Sequence, residues 1–552
     1  MSTRYTCQLP GFSSVAKLAV LSMIFYLLLY YYFIAELNIV VNATKRNDFY
    51  NFKPHIDKPL LDKEISRELV GSNKCSDLPI PKLFWNMTID NSSAFVTIPH
   101  THDINIDETL CVRVVVPSKP VEFYSTFAPI ANTPWDSILL DMVGQRTGIS
   151  IPVSLQMTDN TANYKNGLTH IYEADVLFRD ADVYYPQGYI EYRNAKWNSE
   201  QHLNAQPLLP EPLEISDKLI ISVTAKQNNT NPYGLDNYLN LPFCTTANAE
   251  GRWIHIDQLP FDISLASPPD NFNRVWLPYK CRLRQYSYPQ LFQCLKEKYP
   301  LIHWFGDSNT RRALKKITSL GNWCSAPEER NNLMCTCNDN ASNFGKYDTH
   351  ALFAPIDFDS INGGNTALQD YSNGNLGLIP ANKTRIVLFR WGGLTMLNNP
   401  PWSDTFNGGI NVRAGVPSIA IFALVNWDVA FSSYTFFTQE VNKLLDLVSE
   451  NYPASTQIVI RTGQYFCCTY DMDINLNRKY SRLRYKYFND YIVNAFQIRF
   501  GSSRKVHVWD VSQISERREY HARQEASTCA PNHVRAEIID LENQILANAI
   551  CN

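Results

Sequence analysis

Residues 301–312 read Leu-Ile-His-Trp-Phe-Gly-Asp-Ser-Asn-Thr-Arg-Arg, and this stretch decides how the fold is interpreted. Its apolar start, residues 301–305, predicts a buried strand, and residues 310–319 predict a basic amphipathic helix. A strand that runs directly into Gly-Asp-Ser and then into a helix places Ser308 at the helix N-terminus. There the helix dipole and free backbone N–H groups can stabilise an oxyanion. An equally good alternative is that Ser308 or Asn309 is simply the N-cap of the helix.

Further apolar segments continue this alternation of strand and helix to the C-terminus. The strand candidates are residues 385–389, 418–425, 457–460 and 506–509, and the helix candidates are residues 438–450, 478–500 and 534–549. Strands that alternate with helices predict an α/β fold, in which a parallel sheet is covered on both faces as a three-layer α/β/α sandwich. In such a sheet the functional site lies beyond the carboxyl ends of the strands.

Residues suited to catalysis stand at several of these strand ends. Gly392 and Gly393 follow the second strand, and paired glycines let a backbone approach a ligand closely. Asn426 ends the third strand, where its amide can donate to an oxyanion, and Asp510 ends the last strand. His533 stands just before the C-terminal helix, a place from which it can act as a general base. Taken singly, each has an ordinary alternative as a turn, surface or capping residue.

The preceding part of the chain has a different pattern. Between residues 149 and 157, apolar side chains alternate with small or polar ones, as in a half-buried strand. Further strands are predicted at residues 111–116, 174–178, 183–192 and 218–223. Many short strands with turn residues between them predict a β-sandwich. We therefore expect a β-sandwich domain at residues 75–245, a linker at 246–275 and an α/β domain at 276–552.

An unbroken apolar run, LAVLSMIFYLLLYYYFIA, occupies residues 18–35. At about 1.5 Å per residue, a helix of this length spans a hydrocarbon core of about 30 Å, which predicts a transmembrane helix. Because Arg4 and Lys17 are the only charges before it, residues 1–17 are expected to be cytosolic. Residues 36–74 then form a polar stem, and the body of the protein is lumenal. The alternative, a cleaved signal peptide, places the body in the same compartment.

Twelve of the thirteen cysteines follow this run. An even number of cysteines in an oxidising compartment predicts disulfides. Cys281 with Cys294 is one possible pair, and other pairings stay open. The close pairs at residues 335–337 and 467–468 suggest metal binding instead, but no C-x-x-C or histidine spacing supports zinc, so no metal is expected.

Six Asn-x-Ser/Thr triplets, all beyond the apolar run, are acceptors for N-glycosylation. They are Asn42, Asn86, Asn91, Asn228, Asn340 and Asn382. The net charge of −3 offers no electrostatic reason to propose nucleic-acid binding. The apolar run, the cysteines and the triplets together predict a single-pass membrane glycoprotein of the secretory pathway, in the Golgi or ER or at the cell surface.

The motif residues resemble the SGNH, or GDSL-like, hydrolase superfamily, and most closely its PC-esterase branch. That branch includes the neurexophilin and PC-esterase domain (NXPE) proteins and the plant trichome-birefringence-like proteins. Residues 276–284, Trp-Leu-Pro-Tyr-Lys-Cys-Arg-Leu-Arg, are followed by Cys294 and then by residues 304–312, Trp-Phe-Gly-Asp-Ser-Asn-Thr-Arg-Arg. In the branch, a cysteine-containing segment likewise precedes Gly-Asp-Ser and a following arginine. The resemblance extends over residues 100–552 and implies an SGNH-like catalytic domain behind an immunoglobulin-like or filamin-like sandwich.

The resemblance also implies a role for each candidate residue. Ser308 matches the nucleophile of the family, and His533 matches its C-terminal base. Gly392 or Gly393, together with Asn426, matches the glycine and asparagine that join the backbone N–H of the nucleophile in the oxyanion hole.

This chain departs from the family at one position. The family usually has an aspartate three residues before the histidine, whereas this chain has Ala530. Asp510 is one candidate for the missing acid. A Ser–His dyad and an inactive site are the alternatives.

The activity that the resemblance implies is transfer or hydrolysis of acyl esters, above all of O-acetyl groups on a glycan or glycoconjugate. Such chemistry needs neither a metal nor a nucleotide cofactor, so none is expected. A transferase also needs an acyl donor, which the sequence does not identify. The alternative is a catalytically inactive glycan-binding or adhesion glycoprotein that retains the fold.

Overall fold

The computed structural model describes most of the chain from residue 74 onwards. The described residues are 74–82, 84, 93–99, 103–117, 136–158, 169–192, 211–216, 219–225, 233–325, 353–359, 365–367, 378–379, 383–395, 401–465, 481–518 and 533–552. The expected cytosolic tail, the expected transmembrane helix and nearly all of the expected stem lie outside them. So do Ala530 and all six glycosylation acceptors.

Short strands arranged in two sheets form the first half of the described chain. They are β1 (Phe95–Thr97), β2 (Asp103–Asn105), β3 (Thr109–Val116), β4 (Ser137–Gly144), β5 (Ser150–Pro152), β6 (Gln156–Met157), β7 (His170–Leu177), β8 (Asp182–Tyr192), β9 (Glu211–Pro212) and β10 (Ile221–Thr224). One sheet has the order β1-β3-β7-β6 and the other β2-β10-β8-β4-β5, with β9 beside β8. Neighbouring strands in these two sheets are antiparallel apart from β2 and β10, which are parallel.

One apolar core lies between these two sheets. Val112 and Val114 of β3 pack in the same buried cluster as Leu140 and Met142 of β4. The segment at residues 149–157, predicted as one strand, is two strands, because β5 pairs with β4 in one sheet and β6 pairs with β7 in the other. Burial still alternates over residues 151–156, since the inner faces of both sheets line the same core.

A two-stranded antiparallel sheet connects the sandwich to the α/β part. It consists of β11 (Gly251–His255) and β12 (Arg274–Pro278). The rings of Trp253 and Trp276 pack edge to face with centroids 5.7 Å apart, and the indole N–H of Trp253 donates to the Ile514 carbonyl at 2.8 Å. Residues 246–275, expected to be a linker, therefore contain an ordered strand that packs against the C-terminal part.

Seven strands form the described sheet of the C-terminal half. They are β13 (Leu301–Gly306), β14 (Phe353–Asp359), β15 (Asn365–Ala367), β16 (Lys383–Arg390), β17 (Ile419–Ala423), β18 (Gln457–Arg461) and β19 (Val506–Trp509). Their order is β15-β14-β16-β13-β17-β18-β19. Five neighbouring strands are parallel, namely β16, β13, β17, β18 and β19. Strand β14 is antiparallel to both β16 and β15. The strand that leads to Ser308, β13, therefore lies in the middle of the sheet.

Helices flank this sheet in two groups. They are α1 (Tyr288–Lys298), α2 (Ser308–Thr318), α3 (Ile410–Ala414), α4 (Val425–Phe431), α5 (Tyr434–Asn451), α6 (Arg482–Phe500), α7 (Ser512–Glu516) and α8 (Ala536–Ile550). Helix α2 contacts α1 and α8, whereas α6 contacts α4 and α5. Serine side chains cap three of the longer helices, because the hydroxyls of Ser287, Ser433 and Ser481 accept a backbone N–H in the first turn.

Adjacent side chains of β13 show that the two helix groups lie on opposite faces of the sheet. Trp304 packs against Trp509, whose indole N–H donates to the Glu542 carbonyl in α8. Phe305 stacks on Phe422, which in turn contacts Phe496 in α6. Because successive side chains of a strand point to opposite faces, α8 covers one face and α6 the other.

The expected fold class needs correction in two respects. The sheet is mixed and not parallel, because β14 and β15 run antiparallel to their neighbours. Only residues 360–364 separate these two strands, too short a connection for the crossover that parallel neighbours require. In addition, none of the described helices has the length and apolar character needed to cross a membrane, and the span expected at residues 18–35 lies outside the described part of the chain.

A half-buried carboxylate joins the sandwich to the α/β part. Glu191, in β8, accepts hydrogen bonds from the Tyr465 hydroxyl at 2.7 Å, the Ser137 hydroxyl at 2.8 Å and the Arg482 backbone N–H at 3.0 Å. Burial raises the pKa of this carboxyl, against the effect of these donors. Because Tyr465 lies just beyond the end of β18, the sandwich supports the sheet on the side where the site is expected.

Three disulfides lie wholly within the described residues. They join Cys75 to Cys111, Cys244 to Cys281 and Cys294 to Cys551. The suggested pair of Cys281 with Cys294 is therefore wrong, because the fold brings each of these residues to a cysteine that is distant in sequence. Disulfides form and persist in oxidising compartments, so these three indicate a location outside the cytosol.

Candidate active site

Ser308 is the first residue of α2, directly after the central strand. The N-cap of this helix is Asp307, whose carboxylate accepts the backbone N–H groups of Asn309 at 3.0 Å and Thr310 at 3.3 Å. The sequence alternative, in which Ser308 or Asn309 is the cap, does not hold. The cap leaves the Ser308 hydroxyl available for another contact.

That contact is with His533. The Ser308 Oγ lies 2.6 Å from the His533 Nε2, although 225 residues separate the two in sequence. Both side chains are half-buried. A serine hydroxyl is a weak nucleophile until a base removes its proton, and a neutral imidazole at hydrogen-bond distance is suited to do so.

Arg312 fixes the segment that carries the histidine. Its Nη1 donates to the backbone carbonyl of Val534, next to His533, at 2.8 Å, and its guanidinium lies over the Trp323 ring at 5.5 Å. Since residues four apart lie on the same helix face, α2 presents the nucleophile and the anchor of its base side by side. Sequence reasoning quoted Arg312 only as a motif residue, although its spacing from Ser308 was a usable signal.

The paired glycines follow the strand next to β13. Gly306 lies opposite Arg390 in the ladder, and the Trp391 N–H donates to the Gly306 carbonyl at 3.1 Å. Gly392 and Gly393 therefore follow β16 at the same level of the sheet at which Asp307 and Ser308 follow β13. Gly306 itself has no room for a side chain, because a Cβ there would lie 2.7 Å from the Ala423 carbonyl of β17. The nucleophile turn is therefore packed tightly between the ends of two strands.

Asn426 reaches the nucleophile turn from the other side. Its Nδ2 donates to the Asp307 carboxylate at 3.0 Å, and its Oδ1 accepts the Gln464 backbone N–H at 2.8 Å. These two contacts fix which end of the amide is the donor, and the donor end faces the residue before Ser308. Sequence reasoning missed Gln464, since nothing local marks the residue after β18 as a partner of Asn426.

Buried charged side chains lie close to Asp307 and Asn426. Arg461, at the end of β18, pairs with Glu542 of α8 at 2.8 Å, and Glu542 also accepts from the Gln464 side chain. Burial raises the pKa of the Asp307 carboxyl, while Arg461 and the Asn426 amide act in the opposite direction. Burial likewise raises the pKa of Asp428 to about 7. The contacts of Arg461 and Gln464 with Glu542 connect α8, the helix that follows His533, to the end of β18, where Gln464 binds Asn426.

The structure does not bring Asp510 to the histidine, which corrects the prediction that it is the catalytic acid. The Asp510 carboxylate accepts from the Thr462 hydroxyl at 3.0 Å and from the Ser512 hydroxyl at 2.7 Å. Two strands, β17 and β18, lie between β19 and β13. Because neighbouring strands are about 4.8 Å apart, Asp510 at the end of β19 lies about 14 Å from β13, the strand that leads to Ser308. Asp510 is a turn residue that closes the end of β19.

Replacement of Asp510 by asparagine is therefore expected to change turnover by less than about tenfold, whereas loss of a triad carboxylate costs about 10⁴-fold in the best-studied case. Stability should fall by about 1 kcal/mol, because the amide replaces a charged acceptor of two hydroxyls. Steady-state kinetics and denaturant unfolding of the variant measure both effects. A loss of several orders of magnitude would return Asp510 to the mechanism.

Among the described residues, one group of metal-ligating side chains comes together. Cys75, Cys111 and Asp175 place their ligand atoms within 4.8 Å of one another. The two cysteines form a disulfide, and Asp175 accepts the Cys75 backbone N–H at 2.8 Å. This group is therefore suited to holding the first strands of the sandwich together and lacks the free thiolates that bind metals.

No protein-family model matches the chain, and no curated protein matches it. The resemblance to the SGNH superfamily therefore stays a prediction carried by the motif residues. Of the residues that it singled out, the fold places Ser308 and His533 in contact, with the glycine turn and Asn426 on either side of Asp307. It places Asp510 elsewhere.

Proposed function

We propose that the protein transfers or hydrolyses acyl esters, with Ser308 as nucleophile and His533 as general base. The observation that supports this most is the 2.6 Å distance between the Ser308 Oγ and the His533 Nε2 at the carboxyl end of the central strand. Substrate binding sites of open α/β sheets lie at this edge.

The chemistry follows from these positions. The His533 Nε2 takes the Ser308 proton as the Ser308 oxygen attacks the ester carbonyl. The tetrahedral oxyanion is stabilised by the Ser308 backbone N–H, by the turn at residues 392–393 and by the Asn426 amide. His533 then gives its proton to the leaving alcohol, and the acyl-serine forms. Water or a sugar hydroxyl, deprotonated by the same histidine, attacks the acyl-serine. The bond between the acyl carbon and the Ser308 oxygen then breaks, and His533 returns the proton to that oxygen.

The proposed substrate class is an O-acetylated glycan or glycoconjugate in the lumen of the Golgi or ER. Two considerations support this class. The disulfides indicate an oxidising compartment, where glycans are built. The motif residues resemble a branch of the superfamily that acts on such esters. A transferase would take its acyl group from a donor ester or thioester.

A fluorophosphonate probe tests the proposal, because it reacts covalently only with an activated serine. Mass spectrometry of the labelled wild type should find the adduct on Ser308, and His533→Ala should abolish labelling while leaving the fold intact by circular dichroism. The wild type should also release acetate from p-nitrophenyl acetate and from an O-acetylated oligosaccharide. A wild type that neither labels nor releases acetate would indicate a glycan-binding protein that retains the fold.

A further inference from the structure

Asp428 lies fully buried in α4, two residues after Asn426. Its carboxylate is the acceptor for three donors of the segment that follows the paired glycines. The Leu394 N–H donates to Oδ2 at 3.1 Å, and the Thr395 N–H and hydroxyl donate to Oδ1 at 2.8 Å and 2.6 Å. The backbone beyond the glycines is therefore held by one side chain.

The glycine turn also packs directly on this carboxylate. A Cβ added to Gly393 would lie 2.8 Å from the Asp428 Oδ1 and 2.9 Å from Oδ2, and the Gly393 φ is +157°. Any side chain at position 393 would push the turn away from Asp428. The close packing of the turn on the Asp428 carboxylate thus requires a glycine at position 393.

The same short helix holds both sides of the proposed oxyanion hole. Asn426 is fixed by Asp307 and Gln464, and Asp428 fixes the backbone at residues 393–395. Because Asn426 and Asp428 are separated by one residue of a helix, the distance between the amide donor and the glycine turn is set by the geometry of a single rigid element. Oxyanion donors stabilise a transition state only when they are held in place before charge develops.

We propose that Asp428 is a positioning residue that holds the Gly392–Gly393 turn in the geometry required for oxyanion stabilisation. This inference rests on the proposed function, and it adds a residue that touches neither the nucleophile nor the base. Asp428 accepts hydrogen bonds from Leu394 and Thr395, the residues that follow the turn, and its carboxylate packs against Gly393. In the proposed mechanism this turn contributes to oxyanion stabilisation. The binding of the ground-state ester does not depend on this stabilisation in the same degree, so the effect of Asp428 falls on kcat.

The test compares Asp428→Asn with the wild type in hydrolysis of p-nitrophenyl acetate. The amide keeps the shape of the side chain but cannot accept all three donors, so kcat should fall by about 10²-fold, the effect of losing an oxyanion donor. KM should stay within about threefold, and labelling by the fluorophosphonate probe should slow in parallel with kcat. Thr395→Ala, which removes only the hydroxyl contact, provides a milder second variant with an expected loss of about tenfold in kcat.

Asp270→Asn is the matched control. Asp270 is also a buried carboxylate, paired with Arg518 at 2.6 Å, but it belongs to the segment before β12. Its loss should lower the thermal midpoint and leave the kcat of the folded protein unchanged. If Asp428→Asn and Thr395→Ala both keep the wild-type kcat, or lose activity only in proportion to unfolded protein, the inference is wrong. A wild type that neither labels nor hydrolyses the ester removes the proposed function and the inference together.

Discussion

Replacement of Ser308 by alanine is expected to lower ester turnover by up to about 10⁶-fold, the effect of removing the nucleophile from a serine hydrolase of the best-studied kind. The reason is that the Ser308 Oγ lies 2.6 Å from the His533 Nε2, so its loss removes the oxygen that this base is placed to activate. His533→Ala should be comparably inactive, because an unassisted serine hydroxyl is a weak nucleophile. The double variant should be no worse than either single one, since the two groups act as a unit.

Ser319→Ala is the control for this prediction. Ser319 follows the last turn of the same helix, and its hydroxyl accepts the Trp323 N–H at 2.8 Å. Its loss should cost about 1 kcal/mol of stability and leave turnover unchanged. Initial rates at saturating ester, corrected for folded protein, provide the measurement. Turnover within tenfold of the wild type for Ser308→Ala would place the nucleophile at another residue.

The largest expected effect on stability comes from the disulfide between Cys294 and Cys551. It joins α1 to the residue after α8, and it closes a loop with a sequence separation of 257 residues. Because a cross-link removes more conformational freedom from the unfolded chain when the loop is longer, the loop-entropy model assigns this bond about 5.5 kcal/mol. The double variant Cys294→Ser/Cys551→Ser should lose a comparable free energy of unfolding.

The disulfide between Cys244 and Cys281 is the matched comparison, since it closes a separation of only 37 residues. The same model assigns it about 4 kcal/mol. Urea unfolding of both double variants, followed by circular dichroism, measures the difference. The loop-length explanation fails if removal of the shorter loop costs as much as removal of the longer one. Turnover of the folded variants should stay near the wild-type value, because neither bond contacts Ser308 or His533.

Much of the local structure around the site could be predicted from residues that are close together in the sequence. An apolar run followed by Gly306 and then by a capping side chain predicts a strand, a tight turn and a helix, and all three lie within about twenty residues. Strand β19 was predicted with its observed bounds, Val506–Trp509, from its apolar character. The residue types at a strand end and just before the last helix also directed attention to Ser308 and His533. These signals are local, because side-chain alternation and capping depend on neighbours a few positions away.

The order of the strands was decided only by the tertiary structure, and it changes the interpretation of Asp510. The sequence places this aspartate at a strand end, which is correct, but a strand end says nothing of which strands lie between it and Ser308. The antiparallel strands β14 and β15 and the three disulfide pairings were missed for the same reason. Each depends on segments that are distant along the chain.

The partners of the residues that support the site were likewise beyond the reach of the sequence. Arg312 acts on the carbonyl of Val534, and Asp428 acts on the backbone of Thr395, so each has its role through a partner on another element. The sequence around a single arginine or aspartate in a helix does not indicate which distant residue it contacts. The sequence by itself determined the strand that leads to Ser308 and the helix that follows it, and it identified side chains that suit catalysis. The tertiary structure decided which of those side chains meet, because proximity depends on packing and chain closure over hundreds of residues, for which local sequence carries no signal.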